Sequence, residues 1–235
     1  MSDNLVSIIL PSYNERDNLG SLLFKIRSVM EENNLNYEII VVDDNSPDRT
    51  YEVALRFKAE GYPITLIRRP KKMGLGSAIL TGFLSSTGGI LVAMDADGQH
   101  SPEVIPEMVK EIESGNDIVI GSRFLGDIDT KWARKRDIMS KVATFLASFF
   151  TDVKDPMSGF FAVRRSVVEA IADWYLIGYK VLLEILVKCP ECRCKEVPIH
   201  FGIRHYGRSK LGWNEVFLYL WLIANLFWWK FLRRK

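Results

Sequence analysis

The chain has 235 residues, 48% of them hydrophobic and 26% charged, enough to bury the core of one large domain. Its 31 Lys and Arg against 29 Asp and Glu leave a formal charge of only +2, so composition makes no case for nucleic acid as a partner. The basic residues gather locally instead, at Lys131 to Lys141, at Arg204 to Lys210 and at Lys230 to Lys235, which points to local anion binding.

In chain order, short apolar runs rich in β-branched residues predict strands at Leu5 to Leu10, Tyr37 to Val42, Ile64 to Arg68, Ile90 to Met94 and Ile118 to Gly121. The first run is too short for a signal peptide and breaks at Pro11, so it is read as a buried strand, with no export signal. Helix-like stretches separate the runs, opened by Asn14 or Asp17, by Ser46-Pro47-Asp48 and by Ser101-Pro102-Glu103. The alternation predicts an α/β fold with a mostly parallel sheet flanked by helices, in which ligands bind beyond the strands' carboxyl ends. After Gly121 come a basic loop at Asp127 to Arg136, an amphipathic helix ending near Phe150 and the segment Pro156-Met157-Ser158-Gly159-Phe160-Phe161. The last stretch, Trp213 to Leu232, is dense in Trp, Phe and Leu. Its uncharged part, Val216 to Trp229, is shorter than the ~20 residues that span a bilayer.

The polar clusters at the predicted strand ends carry the chemistry. Asp95-Ala96-Asp97-Gly98-Gln99-His100 puts two carboxylates one residue apart directly after a strand. Hard cations such as Mg²⁺ or Mn²⁺ take oxygen ligands, so this pair can hold one against a diphosphate, with Gln99 as a third oxygen. The plainer reading is an Asp-Gly turn with solvated carboxylates. Val41-Val42-Asp43-Asp44-Asn45-Ser46 offers acidic acceptors for a base or ribose, or else a helix-capping cluster. Tyr13, in Pro11-Ser12-Tyr13-Asn14-Glu15, can stack on a base. Gly74-Leu75-Gly76 lacks the last glycine of a dinucleotide fingerprint, Ile79 standing there, and is read as a helix start. Cys189, Cys192 and Cys194 are too few and too close for a disulfide framework, which favours a reducing compartment; a zinc site with His200 is the rival to a simple surface turn.

Taken together, P-S-Y-N-E, V-V-D-D-N-S, G-L-G-S-A-I, D-A-D-G-Q-H and G-S-R resemble the family-two glycosyltransferases of GT-A fold, over nearly the whole chain. Within them, V-V-D-D-N-S-P-D-R-T, D-P-M-S-G-F-F and R-H-Y-G-R-S-K-L are similar to the dolichyl-phosphate mannose synthases and related polyprenyl-phosphate glycosyltransferases. The resemblance implies that Pro11, Tyr13, Glu15, Val42 and Asp44 hold the nucleoside, with Asp95, Ala96 and Asp97 at the donor. It implies that Asp95, Asp97 and Gln99 bind Mg²⁺ or Mn²⁺ and the donor diphosphate. Arg123 is then a catalytic residue beside the donor sugar or the acceptor phosphate, Arg136 and Ser140 bind the lipid phosphate, and Arg204 and Lys210 close over the diphosphate.

The implied reaction is inverting, metal-dependent transfer of a hexose, mannose from GDP-mannose before glucose from a UDP-sugar, to a polyprenyl or dolichyl phosphate. The rivals are a soluble transferase acting on a glycan and an inactive membrane-associated scaffold. Residues 1–212 are expected to form the catalytic domain, with a donor half to about 123 and an acceptor half to about 212. Residues 213–235 are expected to form an amphipathic segment at the membrane interface, peripheral or monotopic on the cytoplasmic face. A buried helix is the other reading of that segment, and a membrane-embedded partner subunit is a further possibility the resemblance leaves open.

Overall fold

The computed structural model describes residues 2–126, 145–175, 178, 180–200, 202 and 213–232. The first half is a regular alternation: β1 (Ser2–Ser12), α1 (Arg16–Glu32), β2 (Tyr37–Asp43), α2 (Thr50–Ala59), β3 (Ile64–Arg68), α3 (Leu75–Ser85), β4 (Gly88–Ala93), a 3₁₀ turn at Pro102–Val104, α4 (Ile105–Glu113) and β5 (Ile118–Ser122). The second half adds β6 (Phe161–Arg164), α5 (Arg165–Ala170), α6 (Val181–Lys188), β7 (Cys194–Pro198) and α7 (Trp213–Leu232). All five predicted strands are present. The strand order is β3-β2-β1-β4-β6-β5-β7, parallel except for β6, which runs antiparallel to both neighbours.

Alternation along each strand divides the apolar residues between two faces. Ile8, Leu10, Ile39 and Val41 pack with α1, α2 and α4 through Leu23, Phe57 and Met108. Ile9, Ile40, Val42, Leu91 and Ala93 pack with α3, α5 and α6 through Phe83, Val168 and Ile185. Gly82 lets α3 approach the sheet: a Cβ there would stand 2.4 Å from Ile9 Cγ2. A third cluster lies outside these layers, where Tyr219, Leu222 and Leu226 of α7 cover Leu183 and Val187 of α6.

β6 and β7 are absent from the sequence reading. β6 is four residues long and joined directly to α5, too short for alternation to show. β7 reads Cys-Lys-Glu-Val-Pro and lies at the sheet edge, where only Val197 is buried. The register explains why they matter: Phe161 pairs with Ala93, which sets the segment before β6 beside the end of β4.

Candidate active site

Ser12 pairs with Asp43 and Ile9 with Ala93, so the loops after β1, β2 and β4 open on the same edge of the sheet. The first two are laced together. Ser46 Oγ, Thr50 Oγ1 and Asp48 Oδ2 accept hydrogen bonds from the backbone N–H of Asn14, Glu15 and Arg16 (3.0, 3.0 and 3.1 Å). These are donors at the α1 N-terminus that the helix itself cannot satisfy. Ser46 and Asp48 of the second loop, with Thr50 at the start of α2, therefore hold the turn that enters α1. Pro11, Val42 and Ala96 are buried in this floor, and Glu15, also buried, accepts from Asn18 Nδ2 (2.8 Å). The partly exposed Tyr13 ring lies with Lys72 Nζ 4.5 Å from its centroid.

The acidic pair is divided in its work. Asp43, fully buried, accepts from Ser46 N–H (3.0 Å) and Ser46 Oγ (2.5 Å), which fixes the turn. Asp44 is ion-paired with Arg69, and its Oδ2 accepts from the N–H of Met73 and Gly74 (3.1 and 3.0 Å). Four donors on one carboxylate fill its lone pairs. Asp44 thus joins the β2 loop to the start of α3, where Gly74 takes φ 96° and α3 begins at Leu75.

Asp95 and Asp97 follow β4 directly. Asp97 is buried and accepts from Gln99 N–H (3.0 Å) at Oδ1; Asp95 is partly exposed. Gly159 stands against Asp95, since a Cβ there would lie 2.9 Å from Oδ2. The loop before β6 therefore packs its backbone against that carboxylate, where a side chain at position 159 would crowd it. Gln99 Nε2 donates to Gly202 O (3.1 Å), and Gly202 N–H donates back to Gln99 O (3.0 Å). The motif is thereby fastened to the chain two residues before Arg204. His100 is buried and stacks on Phe160 at 5.2 Å; burial pushes its imidazole down to about 4, so it is neutral near pH 7.

Arg123, at the end of β5, forms a two-pronged pair with Asp155: Nε to Oδ2 at 2.8 Å and Nη2 to Oδ1 at 2.7 Å, with the Arg123 N–H also on Oδ2 at 3.0 Å. Asp155 is 0% exposed and the Arg123 side chain 13%. Glu196 of β7 braces this loop by accepting the N–H of Lys154 and Asp155 (2.9 and 3.0 Å), and Ser158 Oγ donates to Gly121 O (2.7 Å). Lys180, just before α6, reaches the same loop, its Nζ donating to Met157 O at 2.8 Å. Burial and the nearby Arg123 push its ammonium down to about 7, against the opposing pull of Asp155 and Asp95.

Asp155, Glu196 and Lys180 were given no role from sequence. Asp155 stands in the Asp-Pro-Met-Ser-Gly segment, a signal available but unused; Glu196 and Lys180 become visible only when β7 and α6 are in place. Arg136, Ser140, Arg204 and Lys210 lie outside the described residues. The zinc reading is corrected. Among the described residues no three His, Cys, Asp or Glu side chains gather as a metal site, and the three thiols are free. β7 alone carries the chain about 13 Å from Cys194 toward His200.

With this geometry in view, the family model described as "Glycosyl transferase family 2" matches residues 7–172. The chain belongs to glycosyl transferase family 2. The family match runs from β1 through β6 and α5, and so includes both aspartates, Arg123 and Asp155. The chain is 46% identical over 230 residues to a dolichol-phosphate mannosyltransferase of Pyrococcus furiosus, covering 96% of this chain and 64% of that one, just under two thirds of its length. It is 35% identical over 235 residues to the dolichol-phosphate mannosyltransferase of Saccharomyces cerevisiae, covering 96% and 88%. A crystal structure of Mycobacterium tuberculosis glucosyl-3-phosphoglycerate synthase with Mn²⁺, UDP and glucosyl-3-phosphoglycerate shares the fold, at TM-score 0.68 and 20% identity over 95% of this chain and 79% of that one.

Proposed function

We propose that this family-two chain transfers mannose from GDP-mannose to the phosphate of a polyprenol at a membrane surface, with inversion at the anomeric carbon. The observation that carries the reading is the meeting of Asp95 and Asp97 with the Arg123–Asp155 pair at one sheet edge, through the loop that places Gly159 against Asp95. The choice of mannose and of a lipid phosphate is supported by relatives named dolichol-phosphate mannosyltransferases.

A hard divalent cation fits this site by the chemistry of its donors, the carboxylates of Asp95 and Asp97 and the amide oxygen of Gln99, and Gly159 adds no side chain where a Cβ would crowd Asp95. Asp95 and Asp97 would hold Mg²⁺ or Mn²⁺, with the amide oxygen of Gln99 as the third protein ligand. Bound there, the metal supplies charge neutralisation for the departing diphosphate. The loops after β1 and β2, with Pro11, Tyr13, Glu15, Val42 and Asp44, form the nucleoside end, Asp44 acting through the loop it holds. In the reaction an acceptor phosphate oxygen forms a bond to C1 as the bond from C1 to the diphosphate oxygen breaks. A phosphate monoester is largely ionised near pH 7, so the chain needs to position and neutralise it more than to deprotonate it. Arg123, held by Asp155 before substrate arrives, is preorganised for that work. Arg136 and Ser140 are assigned to the same phosphate, and Arg204 and Lys210 to the diphosphate.

The catalytic unit in this reading is residues 1–212, its donor half ending near Arg123, and residues 213–235 rest on the cytoplasmic face of the membrane. The three free cysteines suit that side. The test is transfer of labelled sugar from GDP-mannose, UDP-glucose and UDP-N-acetylglucosamine to dolichyl phosphate in detergent, with and without Mg²⁺ or Mn²⁺. Metal-dependent, lipid-extractable label from GDP-mannose alone is expected. Label from a UDP-sugar would overturn the donor, and donor hydrolysis with no labelled lipid would overturn the acceptor. Asp97→Asn is expected to lower kcat by about 100-fold or more with an unchanged circular dichroism spectrum; near-normal turnover would remove Asp97 from the metal site.

A further inference from the structure

We propose that Lys180 is a phosphate-contacting residue of the transfer centre, placing a second positive charge near Arg123 for a phosphate oxygen of the donor or of the acceptor. This rests on the functional reading above and adds to it a residue from the segment before α6. Lys180 is the residue immediately before α6, and its Nζ donates to Met157 O, in the loop that runs from Asp155 to Gly159. Met157 lies two residues from both Asp155 and Gly159, the residue that stands against Asp95, and Arg123, Asp155 and Asp95 are the charges near enough to act on the ammonium. Asp155 is already engaged by three donors of Arg123. Arg123 is matched by Asp155, and the protonated Lys180 adds a second positive charge beside them. A reaction that brings a diphosphate and a phosphate monoester together needs that added charge.

Residues 173–175 and Gly178, ahead of Lys180, are tied to neighbouring helices. Inside α6, Glu184 and Lys188 form an ion pair at 2.6 Å with side chains only 2% and 3% exposed. Neither closes on the other alone: Glu184 Oε1 also accepts Tyr175 N–H, Lys188 Nζ also donates to Asp173 O, and that ammonium lies 4.0 Å from the Tyr175 ring centroid. Burying such a pair carries a desolvation penalty of several kcal/mol per ion, so its merit is positional. It pins residues 173–175 to α6, and Gly178 O, accepting Gly76 N–H at 3.3 Å, fastens the same segment to the start of α3. Lys180 follows these tethered residues, and a lysine reaches phosphate as a point charge that need not keep one orientation. Arg123, forked onto Asp155, cannot shift in the same way.

The test uses the full chain in detergent with Lys180→Gln and Lys180→Arg. Gln keeps an N–H donor for Met157 O but removes the charge; Arg keeps the charge. KM and kcat are measured for donor and acceptor separately, and GDP binding with Mn²⁺ is measured by calorimetry. Lys180→Gln is expected to lower kcat/KM about 100-fold, with Lys180→Arg recovering most of it and melting temperature unchanged. Weaker GDP binding assigns the ammonium to the donor diphosphate. A raised acceptor KM with GDP affinity intact assigns it to the acceptor phosphate. Full activity of the Gln variant, or equal loss in Gln and Arg with GDP affinity and both KM values unchanged, overturns the proposal in favour of a tether for Met157. If the wild-type chain makes no lipid-linked mannose, the functional reading fails, and GDP affinity still decides Lys180, an unchanged value overturning its assignment.

Discussion

Gly159 does its work by lacking a side chain. The missing Cβ would lie 2.9 Å from Asp95 Oδ2, and the atom it meets is the end of a side chain that can turn away. Gly159→Ala is therefore expected to spare the fold and move the carboxylate. A displacement of about 1 Å in a positioning group can lower rate 100-fold, so a loss of roughly 10- to 100-fold in kcat is expected, with a melting temperature close to wild type. Unchanged kcat would show that Asp95 already stands clear. Asp95 and Asp97 were legible in the sequence because two carboxylates directly follow an apolar run. Gly159 falls in Asp-Pro-Met-Ser-Gly-Phe-Phe, but its partner is not readable there, since the contact needs β6 paired with β4. Asp44 shows the opposite limit. Its residue type suits a ribose, yet which donors fill it is decided by Arg69, Met73 and Gly74, brought by a loop beyond β3.

At the scale of elements, Glu38 on β2 clasps the start of β4 across β1: Oε1 accepts Ser7 Oγ (2.7 Å), Thr87 N–H (2.6 Å), Thr87 Oγ1 (2.9 Å) and Gly88 N–H (3.3 Å). Gly88 permits the approach, as a Cβ there would stand 2.3 Å from Leu5 O. Burial opposes ionisation of Glu38, but the hydrogen bonds from Thr87, Ser7 and Gly88 outweigh it and hold the carboxyl below the ordinary 4.5. A carboxyl lowered in the folded state adds stability above its unfolded value and loses it as pH falls through the lowered one. Glu38→Gln should reduce melting temperature by roughly 2–4 °C at pH 7, and the gap from wild type should close below pH 4.5. A gap constant down to acid pH would mean that packing, not charge, carries the clasp. β1, β2 and β4 were legible because each is a run of buried apolar residues, and β3 and β5 because their short runs are rich in Ile, Leu and Val. β6 and β7 were not, because a four-residue strand and a polar edge strand are stabilised by neighbours supplied from elsewhere in the chain.

At the scale of the whole molecule, the outer side of α7 is unlike that of an ordinary surface helix. A surface helix ordinarily turns polar residues outward. Here the face opposite Tyr219, Leu222 and Leu226 carries Phe217, Leu220, Trp221, Phe227, Trp228 and Phe231, each at least half exposed, so α7 is apolar on both sides rather than amphipathic. Lys230 Nζ donates to Phe150 O (3.1 Å), tying the last turn of α7 to a turn where Phe145 and Phe149 are also exposed. No helix among the described residues is long and apolar enough to cross a membrane. A face rich in Trp and Phe, ending in Lys230 and the basic residues after it, suits the head-group boundary of anionic lipid, which is where a polyprenyl phosphate presents its charge. Trp221→Glu with Trp228→Glu should cut flotation with anionic phospholipid vesicles at least tenfold while transfer to a short, detergent-dispersed polyprenyl phosphate persists. Those two positions touch neither core face, so the folded state should survive the change. If flotation is unaltered, or if the wild-type chain instead forms concentration-dependent oligomers that the substitutions dissolve, the face belongs to another protein surface and the membrane assignment of residues 213–235 falls.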